Sequence, residues 1–307
     1  MVTDQRGRWR SLVVAVVLAV STMYAAVERA APAIVATDPA PTTAAGTPLR
    51  ISYGDTPDNV GDLYLPADGS DGNYPVVVLI HGGGWSQNRT MTQFAPMSKS
   101  LAEHGVAVWN IEYRRVNGSG GWPRTLTDVG DAVNALATVV QQRCGGRLDL
   151  RRVHVAGHSA GGQLAAWVAG QRTPASNLPA AHPMPRVLSA TLMAAVLDLE
   201  LAATSGHDAF VRNLLGGLPD EVPDRYQMAS PIAHLPIGVH ITALHGDKDR
   251  VVAPEQSRRY IAAATRAGIP ANLRILPGTG HAEFTDIASP AWAAAQQTIL
   301  DNVVNLH

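Results

Sequence analysis

The stretch R-V-H-V-A-G-H-S-A-G-G-Q-L-A-A-W-V-A, Arg152 to Ala169, decides how this chain folds. It opens as a short apolar strand, turns on G-H-S-A-G at Gly157–Gly161, and continues as a helical run. A serine at such a strand–turn–helix junction sits on a sharp, strained turn that lifts its hydroxyl above the sheet edge. Side chains two residues before and two after would collide, which calls for Gly157 and Gly161. The new helix points its first N–H groups at the same spot. The bland alternative is a glycine-rich turn holding an ordinary serine, and the flanking strand and helix argue against it.

Outward from this junction the chain alternates. Apolar, β-rich runs occur at 76–80, 106–111, 153–156, 187–193, 239–244 and 272–276. Helical stretches separate them near 91–104, 125–142, 161–170, 255–267 and 290–305. Continuous apolar strands alternating with helices predict an α/β fold, a mostly parallel twisted sheet with helices on both faces. Two shorter segments, 49–53 and 59–65, are candidates for an antiparallel edge. The 125–142 helix is expected to be capped by Thr125 or Thr127, with acids in its first turn.

Composition bounds the rest. Of 307 residues, 46% are hydrophobic and 16% charged, enough apolar material for a large core. The net charge of -1 leaves no basic footprint for nucleic acid. A single cysteine, Cys144, excludes an intrachain disulfide framework and multi-cysteine metal sites. Arg6, Arg8 and Arg10 precede an uncharged apolar run from Ser11 to Val27. Residues 1–33 therefore read as an export signal, or as a membrane anchor if retained, and 34–48 as a linker. Residues 49–307 form one catalytic domain, expected outside the cytoplasm, either secreted or associated with the cell envelope.

A serine hydroxyl is a weak nucleophile and needs a base. His281, in G-T-G-H-A-E-F, follows the last strand in a glycine-flanked loop and fills the slot expected in the chain order Ser, Asp, His. His158 is adjacent to Ser159, so its side chain points away from the hydroxyl, and His245 is suited to bracing a loop. The histidine needs a carboxylate to set its tautomer. Asp249 in H-G-D-K-D-R-V-V-A-P is the choice, with Asp247 the alternative that would otherwise brace the turn. Glu283 and Asp286 lie too close in sequence to His281 for a comfortable approach. Acyl transfer also develops charge on a carbonyl oxygen. H-G-G-G-W at His81–Trp85 offers the N–H groups of Gly83 and Gly84, joined by that of Ala160. A phosphate loop at this site would need a G-K-[ST] that the chain lacks. His154 and His158 do not share a helix face, so no metal site is expected, and no cofactor.

Taken together, H-G-G-G-W, G-H-S-A-G-G-Q-L, H-G-D-K-D-R-V-V-A-P and G-T-G-H resemble the α/β-hydrolase superfamily. E-Y-R-R-V at 112–116, W-P-R-T-L-T-D-V-G-D-A-V at 122–133 and A-S-P-I-A-H-L at 229–235 extend the likeness over roughly residues 49–305. Within it the chain is similar to H-G-G-G esterases and lipases, including feruloyl and acetylxylan esterase-like proteins, and to the kynurenine formamidase-like group. The resemblance implies hydrolysis of small short- to medium-chain esters, with an arylformamidase or amidase as the alternative. A serine exopeptidase and a non-catalytic binding module are the remaining ones. The segment 195–236 is expected to line the substrate pocket as a small cap or to be an ordinary helical excursion, with Trp85, Leu197, Phe210 and Tyr226 as the contact candidates.

Overall fold

The computed structural model describes residues 47–67, 72–171, 185–205 and 208–304. The expected export signal, and nearly all of the linker, lie outside the described residues. No described helix is long and apolar enough to cross a membrane.

Eight strands form one sheet: β1 (Leu49–Ser52), β2 (Val60–Tyr64), β3 (Tyr74–Ile80), β4 (Ala107–Ile111), β5 (Leu148–His158), β6 (Val187–Met193), β7 (His240–Gly246) and β8 (Ala271–Leu276). Their order in space is β1-β2-β4-β3-β5-β6-β7-β8. From β4 through β8 neighbours run parallel, while β1 and β2 form the antiparallel edge expected from their short segments. At that edge Arg50 stands opposite Asp62, and the two pair at 2.8 Å.

The helices are α1 (Ala95–Glu103), α2 (Arg124–Asn134), α3 (Val139–Arg143), α4 (Ala160–Gln171), α5 (Leu199–Thr204), α6 (Asp208–Leu215), α7 (Pro223–Ala229), α8 (Glu255–Arg266) and α9 (Pro290–Val304). They cover both faces of the sheet because successive strand residues point to opposite sides. Val76, Val78 and Ile80 of β3 join a cluster with Leu126 and Val129 of α2 and Leu164 of α4. Val77 and Leu79 join another with Met97 and Leu101 of α1 and Trp292 and Ile299 of α9. A strand buried on both faces has no polar side to show, which is why β3 reads as an unbroken apolar run.

One helix departs from expectation. The segment 125–142 is broken: α2 ends in a 3-10 turn at Ala135–Ala137, and Thr138 leaves the helical region at φ -125°, ψ -106° before α3 begins. Neither threonine caps α2. The Thr125 hydroxyl accepts from the Gly121 N–H and donates to the Arg114 carbonyl, and the Thr127 hydroxyl donates to the Arg124 carbonyl. No acid sits in the first turn. Asp128 lies one residue further on and pairs with Arg114 at 2.6 Å.

The strand order places the site. From β3 the chain crosses to β4 on one side, then returns to β5 on the other. The loops leaving the C-terminal ends of β3 and β5 therefore diverge and leave a crevice between them. His81–Trp85 and Ser159 both sit there.

Candidate active site

Ser159 occupies the single residue between β5 and α4, at φ +55°. That left-handed conformation is unfavourable for a side chain by roughly 1–2 kcal/mol, so the surrounding packing must impose it. A Cβ on Gly157 would strike the main chain of Gly161, and one on Gly161 the carbonyls of Ile80 and His81, so both motif glycines answer to close backbone approach.

His281 follows β8, and Asp249 follows β7. The Nδ1–H of His281 donates to Asp249 Oδ2 at 2.7 Å, which leaves Nε2 as the nitrogen able to take a proton. Asp249 is buried, and its other oxygen accepts the N–H groups of Val251 and Val252 at 2.8 and 2.9 Å. His245 Nε2 lies 3.3 Å from Oδ2 and also reaches the Val252 carbonyl at 2.9 Å. Burial alone would push the Asp249 carboxyl up. The hydrogen bonds from His245 and His281, the charge of His281 and the Val252 N–H outweigh it and hold the group far below the ordinary carboxylate range.

The other candidate carboxylates have structural work. Asp247 accepts from Gly278 N–H at 2.7 Å and so braces the turn, Glu283 accepts from Gly280 N–H at 2.9 Å, and Asp286 accepts from Ala288 N–H at 3.0 Å. His158 donates from Nε2 to the His281 main-chain carbonyl at 2.9 Å.

The glycine loop after β3 turns through positive φ at Gly83 (+109°), Gly84 (+62°) and Trp85 (+54°). The N–H groups of Gly83, Gly84 and Ala160 make no hydrogen bond among the described residues. The loop is held from behind by E-Y-R-R-V. Glu112 Oε1 accepts from His81 Nε2 at 2.7 Å and pairs with Arg115 at 3.0 Å, while Oε2 accepts the Met91 N–H at 3.0 Å. Tyr113 stacks on His81 at 4.4 Å and donates its hydroxyl to the His81 carbonyl at 2.8 Å. Burial opposes ionisation of Glu112, but His81, Arg115 and the Met91 N–H hold its carboxyl below the usual range. Trp85 is anchored by its Nε1–H on Gln163 Oε1 at 3.0 Å.

These parts open on one cavity of about 730 Å³ that gathers Ser159, Asp249, His281, Gly83, Gly84, Ala160, Trp85 and Phe210. That size falls among small-molecule pockets, which run to roughly 300–1,000 Å³. Two pocket candidates do not reach it. Leu197 and Tyr226 are fully buried in the apolar core, Leu197 held by the Gln256 side chain through its N–H and Tyr226 donating its hydroxyl to the Gly217 carbonyl. Their places are taken by Val196, Leu201 and Val211, with Arg89 and Gln93 on the glycine-loop side. Segment 195–236 thus does both jobs. Leu201 and Phe210 face the cavity, and Leu199, Leu214 and Leu215 are core. Among the described residues no group of three or more His, Cys, Asp or Glu side chains could hold a metal ion.

Comparison with known proteins agrees with this geometry. The esterase LipC of Mycobacterium tuberculosis is 30% identical over 244 residues, 76% of this chain and 59% of LipC, so the chain matches less than two thirds of that relative's length. Among solved structures, a truncated carbohydrate esterase from gut microbiota superposes with a TM-score of 0.70 at 20% identity, covering 86% of this chain and 99% of that one. A propionate-bound esterase of the planctomycete Thermogutta terrifontis gives 0.65 at 22% identity, with 84% and 94% covered. At these identities the structures establish the shared α/β-hydrolase fold. The BD-FAE family profile matches residues 61–263. On that match, and on the sheet order and loop geometry above, the chain belongs to the BD-FAE family of α/β hydrolases.

Proposed function

We propose that this protein is a serine carboxylic-ester hydrolase for short- to medium-chain acyl esters. The observation that carries the reading is the convergence on one cavity of a serine at φ +55° and a histidine bonded through Nδ1 to a buried carboxylate. Ser159 Oγ attacks the ester carbonyl while its proton passes to His281 Nε2. Asp249 holds the tautomer and offsets the imidazolium charge. The tetrahedral oxyanion lies among the N–H groups of Gly83, Gly84 and Ala160. Collapse expels the alcohol, which takes the proton from His281. Water, activated by the same histidine, then hydrolyses the acyl-enzyme and restores the serine.

The apolar wall of Val196, Leu201, Phe210 and Val211 supports an aliphatic acyl chain, and its modest extent supports a short one. The test is labelling by a fluorophosphonate probe together with turnover of p-nitrophenyl esters from acetate to decanoate, with N-formylkynurenine in parallel. Ser159-dependent labelling and a maximum at or below octanoate are expected. Absent labelling sinks the reading, and preferential turnover of the formamide moves it to amide chemistry. The basic start and apolar run between Arg6 and Val27 support export, which the intact mass of the protein from its natural host tests.

A further inference from the structure

His158 has no part in the proton transfer just described, yet its surroundings are unusual. It is buried at 4% exposure. Its Nε2 lies 2.9 Å from the His281 carbonyl, which can only accept, so the ring proton is on Nε2. The two imidazole rings lie 4.5 Å apart, inclined at 46°, and the Phe284 ring lies 6.1 Å from that of His158, centre to centre. The other nitrogen, Nδ1, is buried without a hydrogen-bond partner among the described residues. It faces Gly82, where a Cβ would stand 3.0 Å away. An orphaned buried nitrogen is unfavourable, and an apolar ring would fill the space without it. The bond from Nε2 is the compensation, and it reaches a residue 123 positions away.

We infer that His158 is a positioning residue that sets the distance between the nucleophile and its base. His158 and Ser159 share a peptide bond, so a ring fixed to the His281 main chain fixes that main chain relative to Ser159 Oγ. The rest of the His281 loop is tied elsewhere. Lys248 N–H donates to the Thr279 carbonyl and Gly278 N–H to Asp247, both from the β7 side. His158 adds the tie from the nucleophile's own strand. Asp249 then holds the imidazole at Nδ1 and His158 holds the main chain behind it, so the direction of Nε2 is set at two points.

Charge supports the assignment. His281 becomes a cation during the reaction, and a second cation at 4.5 Å would oppose it. Burial, with His281 alongside, pushes His158 down to about 3, against the opposing pull of the His281 carbonyl and Asp249. His245 is the further titratable group near it and acts in the same sense as burial. His158 is therefore neutral at neutral pH and keeps its donor proton throughout the cycle.

The inference rests on the hydrolase reading, and the experiment separates the two. H158F, H158N and H158Q are made in the full chain and compared with the parent for p-nitrophenyl butyrate turnover between pH 5 and 9, fluorophosphonate labelling rate and Tm. Glutamine can place an N–H near the position of Nε2, asparagine cannot, and phenylalanine keeps the ring without the donor. In H158F, kcat is expected to fall roughly 10- to 100-fold, the scale of an ångström-sized misplacement, with KM within about twofold. Labelling should slow by the same factor and the acidic limb of the pH profile should move. H158Q should recover at least about tenfold over H158N. Parental kcat in H158F overturns the inference. Where H158F does not fold, a kcat ratio near one between H158Q and H158N overturns it instead. A parent chain that neither labels nor hydrolyses any ester refutes the hydrolase reading, and this inference with it.

Discussion

Two regions build the cavity by different means. Of the loops that follow β3, β5, β7 and β8, those after β3, β7 and β8 are fixed by directional bonds to buried charge: Glu112 behind the glycine loop, and Asp249 under the histidine. The excursion between β6 and β7 contributes shape. Val196, Leu201, Phe210 and Val211 reach the cavity without a hydrogen bond from their side chains, and Phe210 is 51% exposed. The difference teaches how one fold separates tasks. Chemistry needs atoms at fixed distances, which hydrogen-bonded loops on a rigid sheet supply. Selectivity among esters needs only volume and apolar area, which a helical excursion can vary freely.

If the division is real, changes in the first region lower kcat for every ester alike, and changes in the second re-rank esters. The largest effect belongs to S159A, in which kcat should fall by at least ~10³-fold for all acyl lengths. Turnover near that of the parent would break the comparison outright. D249N should follow, with a loss on the order of 10³- to 10⁴-fold through the wrong histidine tautomer.

The same residue yields a pH signature. Asp249 is held ionised in the fold, its carboxyl well below the usual range, so its contribution to stability is complete above the unfolded carboxylate value of about 4. That contribution is lost as pH falls from there toward the folded value. Thermal unfolding of the parent and D249N should therefore differ most near neutrality and converge below about pH 4. A gap that is independent of pH would assign the destabilisation to packing.

Gly84 is where the two regions touch. Its φ is +62°, and an added Cβ would stand 2.5 Å from Phe210 Cδ1. G84A should cost roughly tenfold in kcat, the equivalent of the 1–2 kcal/mol left-handed penalty. Adding F210A should recover only the part due to the ring, and complete recovery would mean that backbone conformation there is unimportant. F210A alone should have the smallest effect. Hydrolysis of acetate should hold within about twofold while kcat/KM for longer acyl esters falls by several-fold, at about 0.8 kcal/mol for each methylene left uncovered. Equal losses across the series would move Phe210 into the first region.

The sequence made the first region legible and the second only in outline. Buried parallel strands must be apolar throughout, and a serine held at positive φ needs its flanking glycines, so β3, β5 and the Ser159 turn announce themselves. The places of Asp249 and His281 after successive strands are legible in the sequence, and the structure brings the two side chains together. In the irregular segment after β6 no period tells which side chain faces inward, so the sequence points to Leu197 and Tyr226 where Val196, Leu201 and Val211 line the cavity. The break at Thr138 carries no glycine or proline to mark it. The tertiary partner of Thr125, the Arg114 carbonyl, is invisible locally, so the sequence suggests a cap there instead. His158 could be read as pointing away from the hydroxyl, but its acceptor lies 123 residues further along the chain.

The loops that meet at the cavity leave β3, β5, β7 and β8, from His81 to His281, two hundred positions along the chain. Every part of the site is thus a long-range contact, and contacts of that kind form late and slowly in folding. Ser159, His281 and the glycine loop come together only once β3, β5, β6, β7 and β8 have paired. Under the proposed hydrolase reading, recovery of turnover during refolding should accordingly lag recovery of helical signal, which makes turnover a clock for the pairing of β3 through β8.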